Sequence, residues 1–351
     1  MQGSRVRFEN VSKSFGTTVA LSDFNLDIAP GEFVTLLGAS GSGKSTALNI
    51  LAGFSDATSG EVFIDDRPLT DVAPENRNVG MVFQNFSLFP HKTVADNVAF
   101  PLKMRKVPKP EIDRRVKAAL EMVKLGEFAA RKAALSGGQR QRVALARAVV
   151  FEPPVLLMDE CLSALDLKLR EELQEEIRRI YREIGTTVLF VTHDQTEALT
   201  MSDRIAILEG GRIVQIDAPE ALYDRPRTRF VADFIGQSNM FDLAAVKDGR
   251  AEVPDMGIDI PVADTSAIAI SLRPERIRVV LGDAPEHKSI FEGVVEDETF
   301  FSPVVAQSVR LASGRVLDVR SQRSGHDHLP HTGETIKLVF DPADAAPLAA
   351  D

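Results

Sequence analysis

The chain has 351 residues, 44% of them hydrophobic and 26% charged, with a formal net charge of −10; this is globular rather than disordered composition, with length for two domains and a large core. The acidic balance argues against nucleic acid as the main partner, because phosphate backbones attract basic surfaces. One cysteine, Cys161, rules out an internal disulfide and fits a reducing compartment. Met1 to Gly16 lacks the apolar core of a signal peptide, and no run reaches the roughly 18 apolar residues of a membrane span, so the chain is not expected to cross a membrane itself.

In chain order, residues 5–35 alternate apolar and polar between turns at Gly16 and Pro30-Gly31, which predicts antiparallel strands. Phe33–Leu37 is a buried-type strand that runs into Gly38-Ala39-Ser40-Gly41-Ser42-Gly43-Lys44-Ser45 and then a helix from Thr46 to Leu51. Lys103, Arg105, Lys106 and Lys109 form a small basic run, read as a solvated face. Ile112, Val116, Leu120 and Val123 fall at helical spacing. A second glycine pair, in Leu135-Ser136-Gly137-Gly138-Gln139, precedes another helix over 139–150. Val155–Met158 is a buried strand ending in Asp159 and Glu160. Residues 167–184 predict a helix with Leu173, Ile177, Ile180 and Ile184 on one face, and Thr187–Val191 a further strand. Strands alternating with helices predict a parallel sheet in an α/β domain.

Beyond about residue 236 the helical periodicity stops. Short strand-like runs follow at Ile268–Leu272, Ile277–Leu281, Phe291–Val295, Val304–Val309, Val316–Val319 and Ile336–Phe340. The expected organisation is an α/β domain over 1–235 and a small all-β, barrel-like domain over 236–351. His326, His328 and His331 lie with Asp327 in a predicted loop, read as surface, with a metal site as the alternative.

Gly38 to Ser45 matches G-x-x-x-x-G-K-[ST] between a strand and a helix, the setting that makes this motif a phosphate loop. The glycines let backbone N–H groups turn inward on phosphate oxygens, and the helix start adds its positive dipole end. Lys44 reaches the β- and γ-phosphates and the Ser45 hydroxyl can ligate Mg²⁺, with Thr46 beside it. The loop alone says only nucleoside-triphosphatase. Ser136 to Gln139 makes a second anion-binding helix N-terminus. One ATP does not need two such cradles from one chain, but a second cradle makes sense if it meets ATP held by another copy. Asp159 is expected to hold Mg²⁺ and Glu160 to polarise the attacking water. Successive strand side chains point oppositely, so the two acids are not expected to share one role.

On these residues the chain resembles the ATP-binding-cassette (ABC) ATPases, and the motifs from Phe15 to His193 follow that family's order. The resemblance implies a P-loop α/β domain with an antiparallel β subdomain and a helical subdomain. It also implies ATP and Mg²⁺ as cofactors and a homodimer that sandwiches two ATPs head to tail. It implies that Phe15 stacks on adenine, that Gln84 touches Mg²⁺ or water, that Asp166 belongs to the loop linking the two sites, and that His193 contacts the γ-phosphate. One departure is Cys161, where the family usually has proline.

Two kinds of cassette protein remain: the detached motor of a membrane importer, and a soluble cassette protein acting on ribosomes or DNA. A single cassette without sustained heptads favours the importer. Leu272-Arg-Pro-Glu275 followed by strands resembles the regulatory barrel, OB-like and TOBE-like, of bacterial importer ATPases, and Phe230–Gly236 resembles the linker into it. Phe234–Phe241 and the stretch from Glu75 to Lys106 look most like spermidine/putrescine importer ATPases; ferric iron, sugar, sulfate and phosphonate importers are the alternatives. The resemblance further implies two transmembrane permease subunits, an indirect solute-binding protein, no nucleic acid, and a place at the cytoplasmic face of the inner membrane, held through the permease.

Overall fold

A computed structural model describes residues 3–131, 135–163, 166–244, 246–262, 264, 266–280, 289–322 and 330–350. The chain forms two compact units, Met1–Pro219 and Glu220–Asp351.

The first unit opens with β1 (Val6–Phe15) and β2 (Thr18–Ile28), paired antiparallel with Val6 opposite Ile28 and Phe8 opposite Leu26. Their apolar side chains point to one covered face, which is why these strands alternate. β3 (Phe33–Gly38) is buried at every position, as a central parallel strand must be. It runs into α1 (Lys44–Ala52). β4 (Ser59–Ile64) and β5 (Arg67–Pro68) return to the antiparallel sheet, in the order β2-β1-β4-β5.

After β6 (Val79–Val82) the chain enters a helical layer of α2 (Val94–Met104), α3 (Lys109–Met122) and α4 (Gly137–Val149). Ile112, Val116, Leu120 and Val123 are all buried, as their spacing predicts. β7 (Val155–Asp159), α5 (Leu167–Ile184), β8 (Thr187–Thr192), α6 (Gln195–Met201), β9 (Arg204–Glu209) and β10 (Arg212–Asp217) complete the unit. On α5, Leu173, Ile177 and Ile180 are buried, whereas Ile184 is only partly covered. The main sheet runs β10-β9-β3-β8-β7-β6, with every pair parallel except the edge pair β10–β9. One core lies between this sheet, α1 and the antiparallel strands, and another joins the sheet to α2–α5. The loops after β3, β7 and β8 thus emerge side by side at the strands' C-terminal ends, where ligands of such sheets bind.

The division falls after the first residue of α7 (Pro219–Asp224), and the second unit continues with α8 (Arg229–Phe234). Its strands are β11 (Asn239–Asp242), β12 (Arg250–Val253), β13 (Ile258–Pro261), β14 (Ala269–Leu272), β15 (Arg278–Val280), β16 (Ser289–Phe301), β17 (Val304–Leu311), β18 (Val316–Gln322), β19 (Thr335–Phe340) and β20 (Ala346–Leu348). They form sheets β11-β14-β20, β12-β13 and β15-β19-β16-β17-β18, packed on one core that includes Phe241, Phe291, Val309, Leu338 and Phe340.

The division at 219/220 lies upstream of the 235/236 boundary read from the sequence. The buried Arg273 accounts for the difference. Its guanidinium donates to the carbonyls of Tyr223, Ala232 and Gln237 at 2.9–3.1 Å, fastening the stretch around α7 and α8 to β14. Leu281, His326, Asp327 and His328 lie outside the described residues; His331 Nδ1 is 3.6 Å from Glu298 Oε1.

Candidate active site

β3 ends at Gly38, and the loop then folds so tightly that side chains have no room at two glycines. A β-carbon at Gly38 would lie 2.5 Å from Ser42 Oγ and 2.6 Å from the Leu208 carbonyl oxygen. Gly43 has φ 101°, and a β-carbon there would lie 2.5 Å from the Ala20 carbonyl oxygen. Ala39, Ser40 and Gly41 form the exposed mouth. Gly43 is the N-cap of α1 and offers no side-chain cap, so no side chain meets the helix's first-turn N–H groups. Ser42 Oγ is buried with no hydrogen-bond partner. A helix end without a side-chain cap, beside an orphaned hydroxyl, fits a phosphate group that would bring its own acceptors.

Lys44 is 5% exposed, and its ammonium donates to the Gly38 and Ala39 carbonyl oxygens, both at 2.8 Å. Burial lowers its pKa, opposed by the nearby carboxylates of Glu160 and Asp159. The cation is thus already folded over the loop. Thr46 is half-buried in the first turn of α1.

β7 delivers the acids. Ser45 Oγ donates to Asp159 Oδ1 at 3.4 Å. Burial pushes the Asp159 carboxyl up and the neighbouring Glu160 adds to it, while Ser45 and Lys44 pull it down. A half-buried carboxylate beside a hydroxyl suits a hard divalent cation. Among the described residues no group of three or more His, Cys, Asp or Glu could hold a metal unaided. Mg²⁺ is typically bound through one or two carboxylates and completes its shell with waters and phosphate oxygens.

At Glu160 the backbone turns left-handed, φ 40°, and its N–H donates to the Val191 carbonyl at 2.9 Å. Its carboxylate is shared between two neighbours. Oε2 accepts from Gln84 Nε2 at 3.1 Å, and His193 Nδ1 lies 3.3 Å from Oε1. Gln84 follows β6 and His193 follows β8, the strands on either side of β7. Gln84, Glu160 and His193 therefore converge, each from the C-terminal end of its strand. Cys161, next in line, is fully buried beside Gln141, and burial pushes its thiol up to about 12. It has the environment of an inert core thiol.

The other motif residues make local bonds. Ser136 caps α4 in a capping box: its hydroxyl accepts from Gln139 N at 3.3 Å, and Gln139 Oε1 accepts from Ser136 N at 2.9 Å. Gly137 opens α4, and a β-carbon at Gly138 would lie 2.6 Å from Leu169 Cδ2. Asp166 caps α5, accepting from Leu169 N at 3.1 Å; residues 164 and 165 before it lie outside the described residues. Phe15, at the end of β1, is 55% exposed, with Lys13 Nζ 4.9 Å from its ring centroid.

Two arrangements escape a reading of motifs. Arg147 on α4 donates to the carbonyls of Phe86 and Ser87, both at 2.7 Å, and both of those residues are left-handed. An arginine amid Val143, Ala144, Leu145, Ala146 and Ala148 was the available signal, since a buried charge in an apolar run needs partners. Arg170, Asp194 and Glu197 form a second cluster, beside His193. Nothing local in the sequence joins α5 to α6.

The family profile described as ABC transporter matches residues 21–163, and that of the TOBE domain matches residues 270–348. The Spermidine/putrescine import ATP-binding protein PotA of Aggregatibacter actinomycetemcomitans is 43% identical, over 95% of this chain and 94% of that protein. Its counterpart in Clostridium novyi is 47% identical, over 84% and 85%. Among solved structures, a dimeric bacterial ABC transporter cassette is similar at TM-score 0.56 and 37% identity, covering 61% of this chain and 98% of that one. A dimeric post-hydrolysis state of an ATP-binding cassette bound to ADP and Pi gives 0.55 and 37%, with the same coverage. With likeness at this level running through both units, the chain belongs to the ATPase subunits of the ABC transporter family, followed by a TOBE domain.

Proposed function

We propose that this ATPase drives spermidine/putrescine import through separate permease subunits, acting as a head-to-tail homodimer at the cytoplasmic face of the membrane. The observation that carries the catalytic part is the convergence of Gln84 and His193 on the two oxygens of Glu160, at 3.1 and 3.3 Å. A carboxylate held from both sides is oriented to take a proton from an attacking water. Ser45, Asp159 and Gln84 are the residues that would hold Mg²⁺, which when bound neutralises charge on the phosphate oxygens. Lys44, Thr46 and the amides of Gly38–Ser45 bind the phosphates, and Phe15 offers an exposed ring for adenine. Ser136, Gly137, Gly138 and Gln139 of the partner subunit close on the same nucleotide, and Asp166 sits at the junction of the two copies.

The solute follows from relatives named for spermidine/putrescine import, 43–47% identical over most of both chains. No described helix is long and apolar enough to cross a membrane, so attachment is assigned to a protein partner. A groove of about 480 Å³ beside Gln84, lined by Phe83, Phe89, Phe100, Met104 and Phe151 among others, offers an apolar seat for a short permease helix. A neighbouring cavity of about 320 Å³ is lined by Phe86, Leu88, Phe89 and Pro90.

The test is uptake of labelled spermidine in cells deleted for this chain. The parent should restore uptake, and Glu160→Gln, expressed to the same level, should not. Restored uptake of ferric iron, a sugar, sulfate or a phosphonate instead of spermidine would reassign the solute. Uptake by Glu160→Gln at the parent rate would remove Glu160 as the base.

A further inference from the structure

We infer that Arg170 and Glu197 are positioning residues for His193. They are joined through Asp194 and Thr192 into a clamp that ties the first turn of α5 to the loop carrying the histidine. The inference rests on the reading of His193 as a group of the hydrolysis site.

The His193 side chain is 53% exposed. A ring with so much solvent around it is not fixed by packing, so the backbone on either side sets its place together with the contact to Glu160 Oε1. Both neighbours are held. Thr192, the last residue of β8, donates through Oγ1 to Glu197 Oε2 at 2.6 Å and accepts from Asp194 N at 3.0 Å. Asp194 spends one carboxylate oxygen on the helix start, accepting from Thr196 N at 2.8 Å and Glu197 N at 3.1 Å. Its other oxygen accepts from Arg170 Nη1 at 2.8 Å. Arg170 Nε also lies 3.9 Å from Glu197 Oε1, a charge pairing beyond hydrogen-bond distance, so one guanidinium stands between both carboxylates.

The cost of this arrangement argues for a purpose. The Glu197 side chain has no exposure. Taking a carboxylate out of water is expensive, and a buried pair is often no more stabilising than an apolar replacement; its best-attested use is to fix a register. Here the register fixed is that of α5 against the His193 loop. Arg170 is in the first turn of α5, its N–H bonded to the Asp166 carbonyl at 2.9 Å. A shift of Asp166 thus pulls on the arginine and, through Asp194 and Thr192, on both peptide units flanking His193. Misplacing a catalytic group by about 1 Å can cost roughly 10²-fold in rate.

Plain helix capping by Asp194 is the competing account, and Asp194→Asn separates the two. Asparagine caps as well as aspartate but cannot pair with Arg170. Full-length Asp194→Asn, Arg170→Met, Arg170→Lys and Glu197→Gln would be assayed for ATP affinity and single-turnover hydrolysis at saturating ATP. Each would be measured with His193 present and in a His193→Ala background. The expected result is a fall of about 10–100-fold in the hydrolysis rate with ATP affinity unchanged, partial recovery in Arg170→Lys, and no further fall once His193 is gone. Losses of equal proportion in both backgrounds, or full rates in Arg170→Met and Asp194→Asn, overturn the clamp. Should Glu197→Gln fail to fold, the more accessible Arg170–Asp194 pair decides alone. His193→Ala hydrolysing at the parent rate would instead overturn the reading of His193, and the clamp with it.

Discussion

At the C-terminal end of β7 the chain places two carboxylates in succession, and strand alternation alone would aim them at opposite faces of the sheet. The structure separates them differently. Asp159 is the last strand residue, and Glu160 has already turned left-handed, so its carboxylate swings to Gln84 and His193 while Asp159 stays against Ser45. The acids should therefore fail in different ways. Glu160→Gln keeps a hydrogen-bonding group but no base. Hydrolysis should fall by ~10²–10⁴-fold, with Mg²⁺-dependent ATP affinity retained and a nucleotide-held dimer accumulating. Asp159→Asn should lose the Mg²⁺-dependent part of the affinity and accumulate no dimer. Titrating both variants with ATP in Mg²⁺ and in chelator, beside size-exclusion chromatography, checks this; the same pattern from both would dissolve the division of roles. Motif order singles out Gln84, Glu160 and His193 as candidates. The left-handed turn was not legible there, because a φ near 40° at a glutamate is imposed by the surrounding fold and leaves no trace in residue type.

Among elements, α4 carries the clearest double duty. Its first residues form the proposed cradle for the other copy's nucleotide, yet in the free chain the Ser136 hydroxyl and the Gln139 amide satisfy each other's backbone groups. The cap uses the hydroxyl only as an acceptor, so its O–H remains to donate to a phosphate oxygen. Ser136→Arg should leave ATP affinity of the single subunit near the parent value and abolish hydrolysis, because the bulk blocks the other copy's site. Equal loss of binding and turnover would count against the sandwich. α3 and α5, with a 3.6-residue apolar repeat, and β3 and β8, as continuous apolar runs, were legible within about three residues at each end. α2 was not: Pro101 sits inside it, and a proline ordinarily marks a helix end. Its Thr93 cap, bonded to Asp96 N at 3.0 Å, was the signal that could have found it. β11, β12 and β13, four residues each, carry too few residues for alternation to stand out, whereas β14 falls within the run read at Ile268–Leu272.

For the whole molecule, the division at 219/220 makes a prediction about where the chain can be cut. The phosphate loop, both acids and the α4 cradle all lie before Pro219. A fragment ending at Pro219 should bind and hydrolyse ATP. A fragment ending at Ile235 keeps α7 and α8 but loses Arg273, stranding the carbonyls of Tyr223 and Ala232 and stripping the buried Ala232 of Ala269 and Leu348, which share its core cluster. It should be the less soluble of the two and melt at a lower temperature; light scattering and thermal denaturation side by side decide this, and a better-behaved 1–235 fragment would refute it. The same arginine bears on how such chains can be shuffled. A crossover between two related genes anywhere from 223 to 272 would give one parent's cage carbonyls, in part or in full, the other parent's arginine, and any mismatch in their placing would leave a guanidinium buried without acceptors. A crossover at the 219/220 junction hands the cage and its arginine over together, so hybrids joined there should inherit the tail as a working unit.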